Sequence, residues 1–282
     1  MLLLLAAGCN RIFGLEETEL FDAPSPRPDA VGCAGKAFVG PDALSELDVV
    51  PNRFEFDPGE NADGTELWFS SREAAFDALD LSSCTKNAVT GKWGPSTLAP
   101  FNLPEITDAD PAFTDDGLRL VFVSYRLGPP RAWEVTRSAI GQPFGGASIL
   151  RGVDGLRING LDMTLDGLTL YFSDSGDGEL HVAHRPSFDA PFVAEEVGGA
   201  LRVLANNVGF PSVSPDEREV FYTHGDGGTA TYRRVRGDTS QPFDLAEEAI
   251  YNDADDPDIS ADGRRLYFVR GSELFVARRD CP

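Results

Sequence analysis

Five Asp-centred turns cut most of this 282-residue chain into units of nearly equal length, and that period constrains the fold more than any other feature. The turns fall at Asp63-Gly64, Asp116-Gly117, Asp166-Gly167, Asp216-Glu217 and Asp262-Gly263, spaced 53, 50, 50 and 46 residues apart. A strand-rich unit of about fifty residues cannot bury its apolar face alone, so the units must stack, and propeller blades have this length. The fullest copy is Asp108–Arg126, DADPAFTDDGLRLVFVSYR.

Five residues before each turn Asp stand Pro58, Pro111, Leu161, Pro211 and Pro257. Proline has no N–H to give a sheet ladder, so these positions mark where each unit's first strand begins. Asp-Gly predicts a tight primed hairpin with positive φ at both central residues. After each turn come Leu67-Trp68-Phe69, Leu120-Val121-Phe122, Leu170-Tyr171-Phe172, Val220-Phe221-Tyr222 and Leu266-Tyr267-Phe268. Three large apolar residues in succession fill both faces of a strand, which suits a sheet packed between two others. Third strands follow at Trp133–Val135, Leu180–Val182 and Leu274–Val276, and an aromatic near Pro or Gly announces a fourth at Trp93, Phe144, Phe192 and Phe243. The expected fold is all-β: a five-bladed propeller of four-stranded antiparallel blades.

At these residues the chain resembles the WD40-like, TolB-type β-propeller repeat family, whose core reads roughly D-x-x-P-x-x-S-P-D-G-x-x-L-x-F-x-S-x-R. The closest match is Asp256–Phe268, DPDISADGRRLYF, and the resemblance spans about residues 38–282. It implies protein–protein contact through a flat face or the channel mouth. The TolB domain has six blades where five units are counted here, so no particular TolB partner follows, and propellers host many activities.

The last unit stops after its third strand, near Arg279, while an aromatic-Gly-Pro run appears at the other end as Phe38–Leu44. If that segment supplies the missing strand, the ring closes with no open edge. The cysteines agree. Seven residues separate Arg185 from Phe192 in the third unit; Arg279 to Cys281 is two steps and Cys33 to Phe38 five, so a Cys33–Cys281 bridge would replace a turn of the usual length. Cys33–Cys84 with Cys281 free is the other pairing open to the chain.

Residues 1–9 form a short apolar run ending Ala-Ala-Gly-Cys, too short to span a bilayer. Small residues before Cys9 resemble a bacterial lipobox, with Cys9 lipidated, and Asn10 in place of Asp is the pattern sent to the outer membrane in such lipoproteins. Residues 10–32 then read as a Pro-rich, semi-extended tether, and residues 33–282 as one propeller domain. A formal charge of −22 argues against nucleic acid or anionic lipid as a partner, leaving the lipid anchor as the only membrane contact.

Chemistry-bearing candidates are few. Asp57, Asp110 and Asp256 lie six residues before their turns, in units adjacent around a five-membered ring. Convergence at the channel mouth on a basic side chain or a cation such as Ca²⁺ is one reading of them, and no cofactor is otherwise expected. Arg72, Arg126 and Arg270 end strand two in the same three units, whereas Gly160 and Phe210 replace the Asp in the two units without the Arg. That joint appearance favours cross-strand ion pairs within each blade. Asp162 and Asp258, with Glu60 next in register, are the best unpaired carboxylates for glycoside hydrolysis, which needs two of them about 5–10 Å apart. Asp174–Glu179 places Gly176 at a ligand position of a calcium loop, and His181 and His184 fall on opposite faces of a strand. Cys84 and Trp68, Trp93 and Trp133 read as packing residues, and no G-x-S-x-G, H-E-x-x-H or P-loop is present. The expectation is a monomeric, lipid-anchored binding or scaffold module of the bacterial envelope that takes a protein or glycan partner. A five-bladed glycoside hydrolase or lectin is the alternative.

Overall fold

Twenty strands pair into five four-stranded antiparallel sheets in a computed structural model that describes residues 32–47, 53–73, 77–195, 208–225 and 229–282. The expected lipidation site Cys9 and residues 10–31 of the expected tether lie outside these residues. Strand β1 (Val39–Ala43) belongs to the last sheet. Blade one holds β2 (Phe54–Glu60), β3 (Glu66–Arg72), β4 (Asp80–Thr85) and β5 (Thr97–Leu98). Blade two holds β6 (Asp108–Phe113), β7 (Arg119–Ser124), β8 (Arg131–Thr136) and β9 (Ser148–Ile149). Blade three holds β10 (Ile158–Met163), β11 (Thr169–Asp174), β12 (Glu179–His184) and β13 (Val193–Ala194). Blade four holds β14 (Val208–Val213), β15 (Glu219–His224), β16 (Ala230–Val235) and β17 (Glu248–Asn252). Blade five holds β18 (Asp255–Ile259), β19 (Arg265–Arg270), β20 (Glu273–Arg278) and, outermost, β1.

The ring therefore closes as expected from the misplaced aromatic-Gly-Pro run. Val39 pairs with Arg278 and Ala43 with Phe275, and Cys33 is bonded to Cys281 with Cα atoms 4.9 Å apart. Among the described residues Cys84 is the free cysteine, buried against the Leu67 carbonyl.

A cation locks every blade in the same way. Lys86, Arg137, Arg185, Arg236 and Arg279 follow strand three and lie over Trp93, Phe144, Phe192, Phe243 and Phe38 at 4.3, 4.6, 4.5, 4.4 and 4.6 Å from the ring centres. The four arginines also donate through Nε to the carbonyls of Gly117, Gly167, Glu217 and Gly263 in their hairpin turns. Phe38 occupies the place of the other strand-four aromatics although it comes from the opposite end of the chain. Desolvated cation–π contacts contribute about 2 kcal/mol, so the lock favours a single placement of the fourth strand.

The cores lie between blades because strand-two residues are apolar on both faces. Trp68 of β3 packs on Phe101, Phe113 and Phe144, with ring centres 6.1, 6.0 and 5.5 Å away. The hairpins differ from the primed form expected. Gly64, Gly117, Gly167 and Gly263 take positive φ, but the preceding Asp residues do not. Each turn is a type I turn closed by one left-handed residue. Asp116 shows the cause: its carboxylate accepts the Leu118 N–H at 2.9 Å and the Thr114 hydroxyl at 2.6 Å, which fixes the Asp in the ordinary region. In blade four Glu217 takes the left-handed place of glycine (φ 53°), and its side chain accepts from the Tyr171 hydroxyl and Arg236.

Candidate functional site

The register residues meet at the centre of the ring. Pro58, Pro111, Leu161, Pro211 and Pro257 all line the narrow section of the axial channel, where about 20 Å³ is open. One end of the channel widens into a cup of about 230 Å³, bounded by Asp57, Asp110, Asp255, Asp256, Tyr125, Asn159, Phe210 and Arg72 among others. Toward the other end lies about 40 Å³ next to Asp162, Asp258 and Glu60. A larger cleft of about 700 Å³ lies away from the axis on the edge of blade one, around Arg53, Ser82 and Glu105.

Each first strand carries a bulge immediately before its register residue. In blade one the ladder steps from Phe56–Ser70 to Gly59–Trp68, leaving Asp57 and Pro58 together opposite Phe69. Asp57, Asp110, Phe210 and Asp256 sit in these bulges with φ of 47°, 52°, 51° and 48°. A left-handed residue costs roughly 1–2 kcal/mol, least for Asp, whose short polar side chain tolerates the conformation. Blade three has Gly160 because a Cβ there would come within 2.9 Å of the Phe210 backbone nitrogen.

The bulge overturns the cross-strand ion pairs expected for these aspartates. It faces the Asp toward the axis, and the three arginines find other partners. Arg126 pairs with Asp108 at 2.7 Å rather than with Asp110. Arg72 stacks on Phe54 and Phe56, and Arg270 on Tyr251, Phe268 and Phe275. Asp57, Asp110 and Asp256 instead converge on one another at the floor of the cup, 6, 8 and 6 % exposed. Burial pushes the Asp57 carboxyl up to about 6, against the lowering effect of Ser70 and Asp256 beside it. Burial, then the charge of Asp57 and Asp255, holds Asp110 and Asp256 well above the usual carboxylate range.

The carboxylates expected to be free for hydrolysis are engaged in joining the blades. Asp162 accepts the Val213 N–H at 2.7 Å, Ser212 Oγ accepts the Ile259 N–H at 3.0 Å, and Asp258 accepts the Glu60 N–H at 3.3 Å. These bonds link blades three to four, four to five and five to one through side chains one residue past the register position. Burial pushes Asp162 up to about 6, and burial and then the Asp162 charge hold Asp258 well above the usual carboxylate range. Glu60 is paired with Arg265 at 3.0 Å and Lys86 at 3.2 Å and accepts from the Tyr267 hydroxyl.

The remaining candidates lie on the surface. His181 contacts Asp177 at 3.0 Å and stacks on Phe172, and Asp177, Glu179 and His181 bring their ligand atoms within 4.8 Å of one another. His184 contacts Glu195 at 2.8 Å, and His224 lies 3.9 Å from Glu247. Trp68 and Trp93 are buried in packing roles. Sequence reasoning missed the cation locks, although the basic residue stands seven positions before the aromatic at 86/93, 137/144, 185/192 and 236/243.

Neither a family model nor a curated protein matches the sequence. Solved structures resemble the fold at low identity. TolB from Acinetobacter baumannii aligns at a TM-score of 0.50 and 14 % identity over 80 % of this chain, which spans 55 % of that one. An α-L-arabinofuranosidase from Podospora anserina, solved with cellotriose, aligns at 0.54 and 14 % over 91 % of this chain and 99 % of that one. A hypothetical protein from Leishmania major aligns at 0.52 and 12 %, covering 88 and 90 %. TolB propellers are thus among the structural neighbours of this five-bladed propeller, and at such identities the likeness is one of fold.

Proposed function

We propose that the chain is a binding or scaffold module of the bacterial cell envelope, anchored through Cys9 and the tether of residues 10–32. It docks a protein partner that presents basic side chains to the cup. The observation that carries this reading is the floor of the cup, where three buried carboxylates lie together and, among the described residues, no arginine or lysine is paired to them. A formal charge of −22 adds long-range attraction for a basic partner. Tyr125, 37 % exposed at the rim, supplies an aromatic surface of the kind enriched at protein interfaces.

Hydrolysis of glycans has less support. Asp162 and Asp258 accept backbone N–H groups between blades, and the adjoining channel space of about 40 Å³ is far below the roughly 300–1,000 Å³ of small-molecule sites. The resemblance to the arabinofuranosidase is one of fold.

Anisotropy titrations with Lys- and Arg-containing peptides test the reading. Saturable binding that weakens with salt and disappears in an Asp57→Asn/Asp256→Asn variant is expected. No affinity for any basic peptide, or affinity indifferent to those substitutions, refutes it. Glycan turnover that is lost in Asp162→Ala would decide for the hydrolase instead.

A further inference from the structure

One register position on strand three changes its chemistry in blade three alone. Trp133, Tyr232 and Phe275 stand opposite Phe122, Tyr222 and Phe268 in blades two, four and five. In blade three the same position is His181, opposite Phe172. The imidazole keeps the stacking: its ring centre lies 5.4 Å from that of Phe172 with the planes at 19°, against 6.2 Å and 18° for Tyr222–Tyr232 and 5.9 Å and 10° for Phe268–Phe275. What the histidine adds is a ring nitrogen, and Nε2 lies 3.2 and 3.0 Å from the two carboxylate oxygens of Asp177. Glu179 and His181 are two apart on β12, so both project from one face of the sheet. Asp177 stands in the turn just before them, next to left-handed Gly178 (φ 75°), and its Oδ1 accepts the Glu179 N–H at 3.0 Å. One donor atom from each of Asp177, Glu179 and His181 therefore falls within 4.8 Å of the other two. An ion pair accounts for His181 and Asp177 but gives the half-buried Glu179 carboxylate nothing to do.

We propose that Asp177, Glu179 and His181 bind one zinc ion at the β11–β12 hairpin of blade three. An imidazole nitrogen and two carboxylate oxygens are donors that zinc accepts, at about 2.0–2.2 Å. Atoms bound at those lengths lie roughly 3–4 Å from one another, so small rotations of the two acid side chains close the set. The imidazole excludes a preference for Ca²⁺ or Mg²⁺, which take shells of oxygen alone. Stacking on Phe172 fixes the plane of the ring, and the Glu179 N–H orients the Asp177 carboxylate, as the outer partners of metal ligands do. Three protein ligands leave the fourth position to water. The site shares no residue with the cup, so this inference and the docking reading stand or fall separately.

The test uses the full oxidised chain stripped with EDTA and then dialysed, with Zn²⁺ or Ca²⁺ added as the only ligand. Calorimetry is expected to show one Zn²⁺ per chain. Zn²⁺ at a hundred times its Kd should raise the melting temperature by about 5–10 °C. His181→Phe supplies the aromatic that blade five carries at this position, so the stacking persists while the nitrogen is lost. Its melting temperature in EDTA should stay within about 2–4 °C of wild type, the effect of roughly 1 kcal/mol. Its zinc affinity should fall by more than the roughly 10- to 100-fold that losing an outer partner of a metal ligand costs. Asp177→Asn should weaken zinc in the same way, and His184→Gln should leave it unchanged. No saturable binding of Zn²⁺ to the wild type overturns the site and reduces the His181–Asp177 contact to an ion pair. Zinc binding that survives His181→Phe overturns it too, as does Ca²⁺ bound as tightly as Zn²⁺, since carboxylates alone would then hold the ion.

Discussion

Breaking the Cys33–Cys281 bond tests how the ring is held shut. The residues are 248 apart in sequence, so the bond removes a very large loop from the unfolded ensemble. The chain-entropy relation gives about 18.5 cal/mol/K for that separation, or about 5.5 kcal/mol at 25 °C. The folded state should survive without the bond, because β1 keeps its ladder to β20, Leu44 donates to the Leu274 carbonyl at 2.9 Å, and Phe38 stays beneath Arg279. Measured disulfide effects usually fall below the entropic ceiling, so a loss of about 3–5 kcal/mol is expected for Cys33→Ser/Cys281→Ser. For a chain of this size that is a fall of roughly 6–20 °C in melting temperature. The assay is thermal and urea unfolding of wild type and double variant, each with and without reductant. Cys84 provides the internal control, because burial pushes its thiol up to about 12 and leaves it unreactive at neutral pH. A melting temperature within about 2 °C of wild type, or an equal response to reductant in the double variant, would refute the closure argument.

Three further outcomes follow from the same geometry. Asp162 has a folded-state carboxyl near 6 against about 3.9 unfolded, so the native chain binds more protons between those values and stability falls as pH rises through them. Asp162→Asn, which retains an acceptor for the Val213 N–H, should remove on the order of 2 kcal/mol of that decline in urea melts at pH 4.5 and 7. Arg137→Ala strands the buried Glu66 carboxylate that Arg137 meets at 2.9 Å, and should cost about 3–5 kcal/mol in the same melts. Gly59→Ala should cost several kcal/mol or prevent folding, because its Cβ would fall 2.2 Å from the Pro111 carbonyl oxygen where blades one and two meet.

The fold was legible because the features that repeat are the ones that build blades. The Pro register, the strand-two aromatics and the displaced Phe38–Leu44 strand each mark one physical requirement of a closed ring, and all fall where the period places them. The candidate site was less legible for a local reason. A residue before proline reads as extended chain, yet Asp57, Asp110 and Asp256 sit in left-handed bulges that the surrounding blades impose. Without the bulge, Arg72, Arg126 and Arg270 look like natural partners. They are in fact five, six and four residues past Leu67, Leu120 and Leu266, so they never shared a register. Asp162 and Asp258 looked unpaired because backbone donors from the next blade leave no trace in side-chain identity. The cation locks were readable from their seven-residue spacing.

The central claim is that the floor carboxylates face one another with no arginine of the described residues paired to them, and a double-mutant cycle between Asp57 and Asp256 tests it most directly. In EDTA at pH 8, each Asp→Asn change is expected to raise unfolding free energy, with the double variant gaining less than the sum of the singles. Destabilisation by either single change, with Asp57 coupled to Arg72 instead of Asp256, would show that the carboxylates are paired within their own blades.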